Sequence, residues 1–448
     1  MFLCNILVCC AGVLGAAPGE RDGMVVVAPR AFHGALAEFV AYRAQERSVE
    51  LVDLEGVLEK STGVDDPEKL KRWLFDAWSK RGVRYVLLVG DADVLPVRYM
   101  VLDRVTKPAF DYAFYPSDLY YADIAKRDGS FEDWNGQSAE FHGGYFGEVR
   151  GEKNKNDGIN YDKIDYRPEL AVGRWPVSTV EQVARVSEKT IAYDRAVASE
   201  SAPGLRRALF VAVPGWVDTR ERMKGWAGQL PAGWTNQKLF DGGEWGEQHV
   251  VESLEDGASL VCHAGHGQDD RWEQSLSVDS IAGLRNGGKL PVIFSAGCST
   301  ARFATLPPYE AYEDIHGVEH AGTNAGEVFD APPPPPACYA RGKFNRTGLG
   351  ERLVRDNDAG AVAYIGCNTG SQPCGLTLLD GFVQTLSTQE SPTLGDCWIG
   401  AVTHYYDAEH LETLAPNDDW YPASIFFQGM KFMVFGDPAL RLPGAKRQ

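Results

Sequence analysis

A chain of 448 residues, with 44% hydrophobic and 24% charged residues, has room for two or three domains or one large α/β unit. Its formal net charge of −18 argues against nucleic acid and anionic membrane as partners. Met1–Ala17 is apolar and ends in small residues but has no positive start. It reads as a signal peptide, so the expected location is secreted, periplasmic or cell-envelope. The run is too short and glycine-rich for an anchor, and no other stretch is apolar and long enough to span a membrane.

From Met24 the chain alternates strand and helix patterns. MVVVAP predicts a strand, His33–Gln45 a helix, and Val49–Val52 a short strand. Asp66 followed by Pro67 predicts the cap of a helix with Leu70, Trp73, Leu74, Ala77 and Trp78 on one face. Arg84–Val89 is a fully apolar strand. That succession predicts an α/β fold with parallel sheet and flanking helices. No G-x-G-x-x-G follows a strand, which removes a dinucleotide site.

Between Tyr115 and Tyr166 the sequence turns polar, aromatic and glycine-rich, as an insertion would. Asp118, Asp123, Asp128, Asp133, Asn135 and Glu148 are closely spaced oxygen donors of the kind calcium takes, without the spacing of an EF-hand. A solvated surface excursion is the other reading. Glu169 then precedes the short strand LAVG, and Ser178 with Glu181 predicts a capping box for a helix over Val180–Arg195. Ser201–Leu205 marks a boundary, dividing the chain into subdomains over residues 24–200 and 205–445. Ala208–Val213 is expected to open a second sheet.

The chemistry concentrates between Ser259 and Phe303. Two apolar runs, SLVCHA and LPVIFS, read as buried strands, and each ends in small residues followed by a reactive side chain. The first leads into Ala264-Gly265-His266-Gly267 and the second into Ala296-Gly297-Cys298. A lone cysteine is commonly an inert small hydrophobe and a lone histidine structural. Paired at the carboxyl ends of two strands, where α/β sheets place their ligands, they are candidate nucleophile and base. Glycines beside them leave backbone N–H groups open, as an oxyanion site needs. His263, three residues upstream, competes for the base role.

After Cys298, residues 304–347 interrupt the strand rhythm and contain five prolines in a row, Pro332–Pro336. They predict a stiff extended segment, either a rim of the cleft or a surface excursion. GAVAYIG then predicts another strand, followed by the loop CNTGSQPCG, and KFMVFGDPALRL closes the fold. Of nine cysteines, Cys4, Cys9 and Cys10 lie in the leader; the rest form neither a zinc pattern nor a dense disulfide framework. Cys367 and Cys374 flank a turn and are a candidate pair.

The G-H-G strand end followed by LPVIFSAGC resembles the catalytic core of the gingipain family, caspase-like cysteine peptidases of clan CD. RYVLLVGDADVLP, PELAVGRWPVST and KFMVFGDPALRL agree with it in order. The resemblance implies a caspase-like fold of two side-by-side subdomains, and a cysteine endopeptidase that forms a thioester acyl-enzyme through a Cys298–His266 dyad. It also implies an oxyanion site from the backbone of Cys298 and Gly267, with Glu169 accepting the Nδ1–H of His266. No cofactor is implied for catalysis. Structural calcium is, with Asp118, Asp128, Asp133, Asn135 and Glu148 as donors. Protein or peptide substrates are the expected partners, and the oligomeric state stays open. The family builds part of its P1 pocket wall from the loop that here carries Gln372 and Pro373, where its best-known members have a large aromatic. A basic P1 residue is the expected preference; it needs a carboxylate at the pocket floor, and no motif marks which acid. No C-terminal immunoglobulin-like domain and no long pro-segment before Met24 are expected. A sortase-like transpeptidase and a catalytically inactive caspase-like binding module are the alternatives.

Overall fold

In a computed structural model, residues 22–103, 113–134, 149–151, 164–240, 246–330, 333–338, 348–414 and 422–444 are described. Ten segments form one sheet, the inner ones largely apolar and the edge strands β2 and β6 more polar: β1 (Gly23–Ala28), β2 (Val49–Asp53), β3 (Val83–Val89), β4 (Ala171–Trp175), β5 (Arg207–Ala212), β6 (Thr235–Leu239), β7 (Leu260–Ala264), β8 (Val292–Ser295), β9 (Ala363–Cys367) and β10 (Phe432–Phe435). Their order is β2-β1-β3-β4-β10-β9-β8-β7-β5-β6. Alternate residues enter two cores, with Val25, Val86 and Leu88 on one face and Met24, Val26 and Leu87 on the other. Both faces are therefore covered, and this is why inner strands such as β3, β7 and β8 read as unbroken apolar runs.

The expected second sheet is instead a continuation of the first. The last strand, β10, lies between the halves, parallel to β4 and antiparallel to β9. All other pairings in the sheet are parallel. The two halves consequently run in opposite directions, and the carboxyl ends of β9, β8, β7 and β5 share an edge with the amino ends of β3 and β4.

Helices cover both faces: α1 (His33–Arg43), α2 (Asp66–Arg81), α3 (Val180–Ala198), α4 (Leu349–Arg355), α5 (Leu376–Thr388) and α6 (Leu394–Ala408). Two caps sit one residue away from their expected places. Asp65, not Asp66, caps α2 by accepting the Glu68 N–H at 3.0 Å. Thr179 caps α3 by accepting the Gln182 N–H, while Ser178 donates to Asp93. In both cases the capping residue is the last one with extended backbone; Asp66 is already the first helical residue and accepts from Lys69, and Ser178 is committed to Asp93.

The described part of the proline-rich segment is a strap. Pro335 O accepts the Ile315 N–H, Pro334 O accepts the Tyr312 hydroxyl, and Cys338 O accepts the Val97 N–H of the first half. No described hydrogen bond joins it to the turns carrying His266 and Cys298. The loop it closes is organised by His320, whose Nδ1 lies 2.9 Å from Glu327 and Nε2 3.1 Å from Asp314. Burial pulls the His320 pKa down, but the two carboxylates outweigh it and hold it above its usual value. A raised native pKa gives stability that is complete below the unfolded value of about 6.5 and is lost as pH rises through the native one. His320→Gln is thus expected to lower Tm by roughly 1–3 °C at pH 6, with the gap closing by pH 9. An equal gap at both values would remove the clasp.

Candidate active site

β7 and β8 are paired with His263 opposite Ser295, so His266 and Cys298 each stand three residues beyond a matched pair. The two turns touch through glycine. A Cβ on Gly297 would lie 3.2 Å from Gly267 Cα, and one on Gly267 would lie 2.8 Å from Cys298 O and 3.0 Å from Gly297 C. Only residues without a side chain allow the histidine turn and the cysteine turn to pack this closely. His266 is exposed and Cys298 half-buried at this junction.

The His266 ring is held from the third strand of the half. Its Nε2 lies 2.9 Å from the carbonyl of Gly215, in the loop after β5. A carbonyl only accepts, so Nε2 carries the hydrogen and Nδ1 of the neutral ring is left as the base. His263 fills a different role. It is fully buried, stacked on Trp272 at 4.3 Å, and burial pulls its pKa down to about 3. It cannot serve as a solvent-facing base.

Cys298 Sγ receives the Ser371 N–H at 3.3 Å from the loop after β9. That loop also carries both expected pocket residues: the Gln372 N–H donates to Gln428 Oε1 at 3.1 Å, and Pro373 opens a turn of 3-10 helix. Gln428 itself is fully buried and 130 residues beyond Cys298 in sequence, with no motif to mark it. The six described cysteines are all free, including Cys367 and Cys374. Burial pushes the Cys338 and Cys367 thiols up to about 12 and Cys374 to about 11, leaving them inert.

Backbone donors are available for an oxyanion. No acceptor among the described residues takes the Cys298 N–H. In the hairpin that follows His266, Glu273 N–H bonds His266 O, so Gly267, one step along, forms a non-hydrogen-bonded pair with Trp272. Its N–H points away from the partner strand.

The expected Glu169–His266 hydrogen bond is not formed. Glu169 Oε2 instead accepts the N–H groups of Ile124 and Ala125 at 3.0 and 3.1 Å, and burial pushes its carboxyl up to about 7. The topology explains the miss. Glu169 enters β4, which shares the edge of the site but stands four strand places from β7, or about 19 Å at ordinary strand spacing. The acceptor that faces the ring is a backbone carbonyl, and Gly215 gives no side-chain signal in the sequence.

The calcium set also separates. Asp118 is gripped by Arg174 through two hydrogen bonds of 2.7 Å, Asp128 caps its own turn through Ser130, and Asp133 lies 3.8 Å from Arg72. Asn135 and Glu148 lie outside the described residues. Among the described residues no three His, Cys, Asp or Glu side chains come together as a metal site would need.

Beside His266, residues Ala212–Arg220 line a cavity of about 190 Å³. Asp218 stands in it, exposed and paired with Arg220 at 2.6 Å, and that guanidinium holds its carboxyl down at about 2. A larger cavity of about 380 Å³, lined by Lys189, Tyr193, Ala258 and Leu290, opens at the opposite edge, where β7 and β8 begin. Among the described residues no helix is long and apolar enough to cross a membrane.

The sequence matches the model of peptidase family C25 over residues 17–443. No curated protein matches it. Among solved structures it is similar to the Arg-specific cysteine proteinase gingipain R (RgpB), at 18% identity and a TM-score of 0.63, covering 94% of this chain and 78% of that one. It is likewise similar to the complex of Porphyromonas gingivalis RgpB pro- and mature domains, at 17% identity and TM-score 0.63, covering 94% and 80%. A third neighbour, described only as a protease, has 15% identity and TM-score 0.62, covering 94% and 79%. At these identities the structures speak for the fold, and the family match spans nearly the whole chain. The chain therefore belongs to peptidase family C25, the gingipain family, and is a cysteine peptidase.

Proposed function

We propose that Cys298 and His266 are the catalytic dyad of this endopeptidase, with the Gly215 carbonyl in the orienting role first assigned to Glu169. The observation that carries the reading is the contact of the two glycine-bearing turns, with the His266 ring tied to Gly215 O. The Cys298 thiol passes its proton to His266 Nδ1 as sulfur attacks the scissile carbonyl. The C–N bond breaks, the protonated ring gives its proton to the leaving amine, and a thioester remains. Water, deprotonated by the same nitrogen, then cleaves the thioester and frees the acid. The N–H groups of Cys298 and Gly267 receive the oxyanion in both steps, and the Ser371 N–H solvates the sulfur.

Substrate choice follows from the cavity after β5. A basic P1 side chain needs a carboxylate partner, and Asp218 supplies one in the cavity that Gly215, the residue hydrogen-bonded to His266, also lines. The resemblance to an Arg-specific proteinase points the same way. Arg220 neutralises Asp218 in the resting enzyme, and a substrate guanidinium would take its place. Fluorogenic peptides differing only at P1 are expected to be cleaved at least about tenfold faster with Arg than with Leu or Ala, and Asp218→Asn is expected to erase most of that ratio. Faster turnover of Leu or Ala would overturn the pocket assignment. Export through Met1–Ala17 belongs to this reading; it rests on the apolar run itself, which lies outside the described residues. An uncleaved N-terminus on the mature protein would remove it.

A further inference from the structure

A buried polar chain runs beneath the cysteine turn. His263 Nδ1 lies 2.9 Å from Ser295 Oγ. Ser295 Oγ also receives the Gly297 N–H at 3.2 Å. Thr300 Oγ1 lies 3.2 Å from both Ser295 Oγ and Gly297 O. The other ring nitrogen, His263 Nε2, is buried and has no partner. The ring is clamped in place, stacked on Trp272, whose Nε1–H donates to Tyr364 at 3.0 Å, and with its Cε1 3.1 Å from where a Gly297 Cβ would be.

Thr300 has one hydroxyl hydrogen and two candidate acceptors, and counting donors decides between them. If His263 Nδ1–H donates to Ser295, the serine hydroxyl can donate to Thr300 and the threonine hydroxyl to Gly297 O. The Tyr364 hydroxyl, which also reaches Ser295 and Thr300, can donate to the second lone pair of the threonine oxygen, so every donor is used and Nε2 holds only an unpaired lone pair. The reverse direction, with Ser295 donating to Nδ1, strands a buried Nε2–H. Orphaned buried N–H groups are the rarer and costlier case. Donors aligned in one direction also strengthen one another.

The end of this chain is the Gly297–Cys298 peptide, which is trans. In a trans peptide the C=O and the following N–H point opposite ways. Thr300 holding the Gly297 carbonyl inward therefore turns the Cys298 N–H outward, away from the buried network. We propose that His263 is a positioning residue for this peptidase: acting through Ser295 and Thr300, it fixes the peptide that aims the Cys298 N–H at the oxyanion. The inference rests on the dyad reading above and adds a residue to it.

The test compares His263→Phe, which keeps a ring on Trp272 but has no donor, with His263→Asn, which presents an N–H near the place of Nδ1. Losing an oxyanion donor outright typically costs 10²-fold or more. A mis-aimed one is expected to lower kcat roughly tenfold or more in His263→Phe, at unchanged KM. Affinity for a peptide aldehyde, whose adduct carries the oxyanion, should fall by a like factor. Alkylation of Cys298 by iodoacetamide, which builds no oxyanion, should stay within about twofold, and His263→Asn should recover part of kcat. Thr300→Val breaks the same relay at its far end and is expected to show the same pattern, which keeps the test open if His263→Phe fails to fold. Unchanged kcat in folded His263→Phe or Thr300→Val overturns the proposal, as does alkylation slowing in step with hydrolysis. A wild-type protein that hydrolyses no peptide sinks the dyad reading itself, a different and recognisable failure.

Discussion

Cys298→Ala is expected to lower peptide hydrolysis by on the order of 10⁴-fold or more, and His266→Ala by a comparable factor. The two losses should not add. A nucleophile without its base and a base without its nucleophile each break the same step, so the double variant is expected to be no slower than the worse single one. Both residues sit on turns outside the core, His266 exposed and Cys298 half-buried, so Tm should stay near that of wild type. Cys298→Ala retaining more than about a tenth of the activity would assign the chemistry elsewhere.

The largest stability effect is expected at Arg43. This guanidinium is fully buried near the end of α1 and donates to Asp437 at 2.7 Å and to Asp194 at 2.9 Å. Tyr42 and Arg441 also bind Asp194, and Asp437 accepts the Ala439 N–H, so α1, α3 and the chain after β10 meet at one ion cluster. Arg43→Met removes the charge that the two carboxylates share and leaves Asp437 buried with a single N–H donor. Breaking a buried pair from one side costs about 3–5 kcal/mol. Denaturant unfolding should show that loss as a lower midpoint at unchanged slope. Adding Asp437→Leu is expected to restore part of it, because an apolar pair needs no counter-charge. A single variant within about 1 kcal/mol of wild type would show the cluster to be unimportant to stability.

The parts of this fold that were legible in sequence are those where neighbouring residues set the outcome. The apolar runs at Val83–Val89, Leu260–Ala264 and Val292–Ser295 are strands because both sheet faces are covered and the runs need no alternation. His266 and Cys298 could be read because each follows its strand within a few residues and small residues flank both. What could not be read depends on contacts between distant segments. The single sheet exists because β10, from the end of the chain, inserts between β4 and β9. Gly215 acts through its carbonyl, which every residue has. Asp218 is one acid among many until the β5 loop places it in a cavity beside His266. Glu169 holds its place in a matching segment, yet its carboxylate caps the turn at Ile124 and Ala125. His263 was visible as a competitor for the base, yet its role depends on Ser295 and Thr300, more than thirty residues away.

The central claim is that Cys298 carries the acyl group. Rapid quenching of the protein with a peptidyl-arginine ester, followed by intact-mass and peptide-level mass spectrometry, tests it most directly. The account predicts a mass increase equal to the acyl group, located on the peptide containing Cys298, absent in Cys298→Ala and accumulating more slowly in His266→Ala. An acyl group found on another residue, or turnover of the ester with no acylated protein at any quench time, would contradict it.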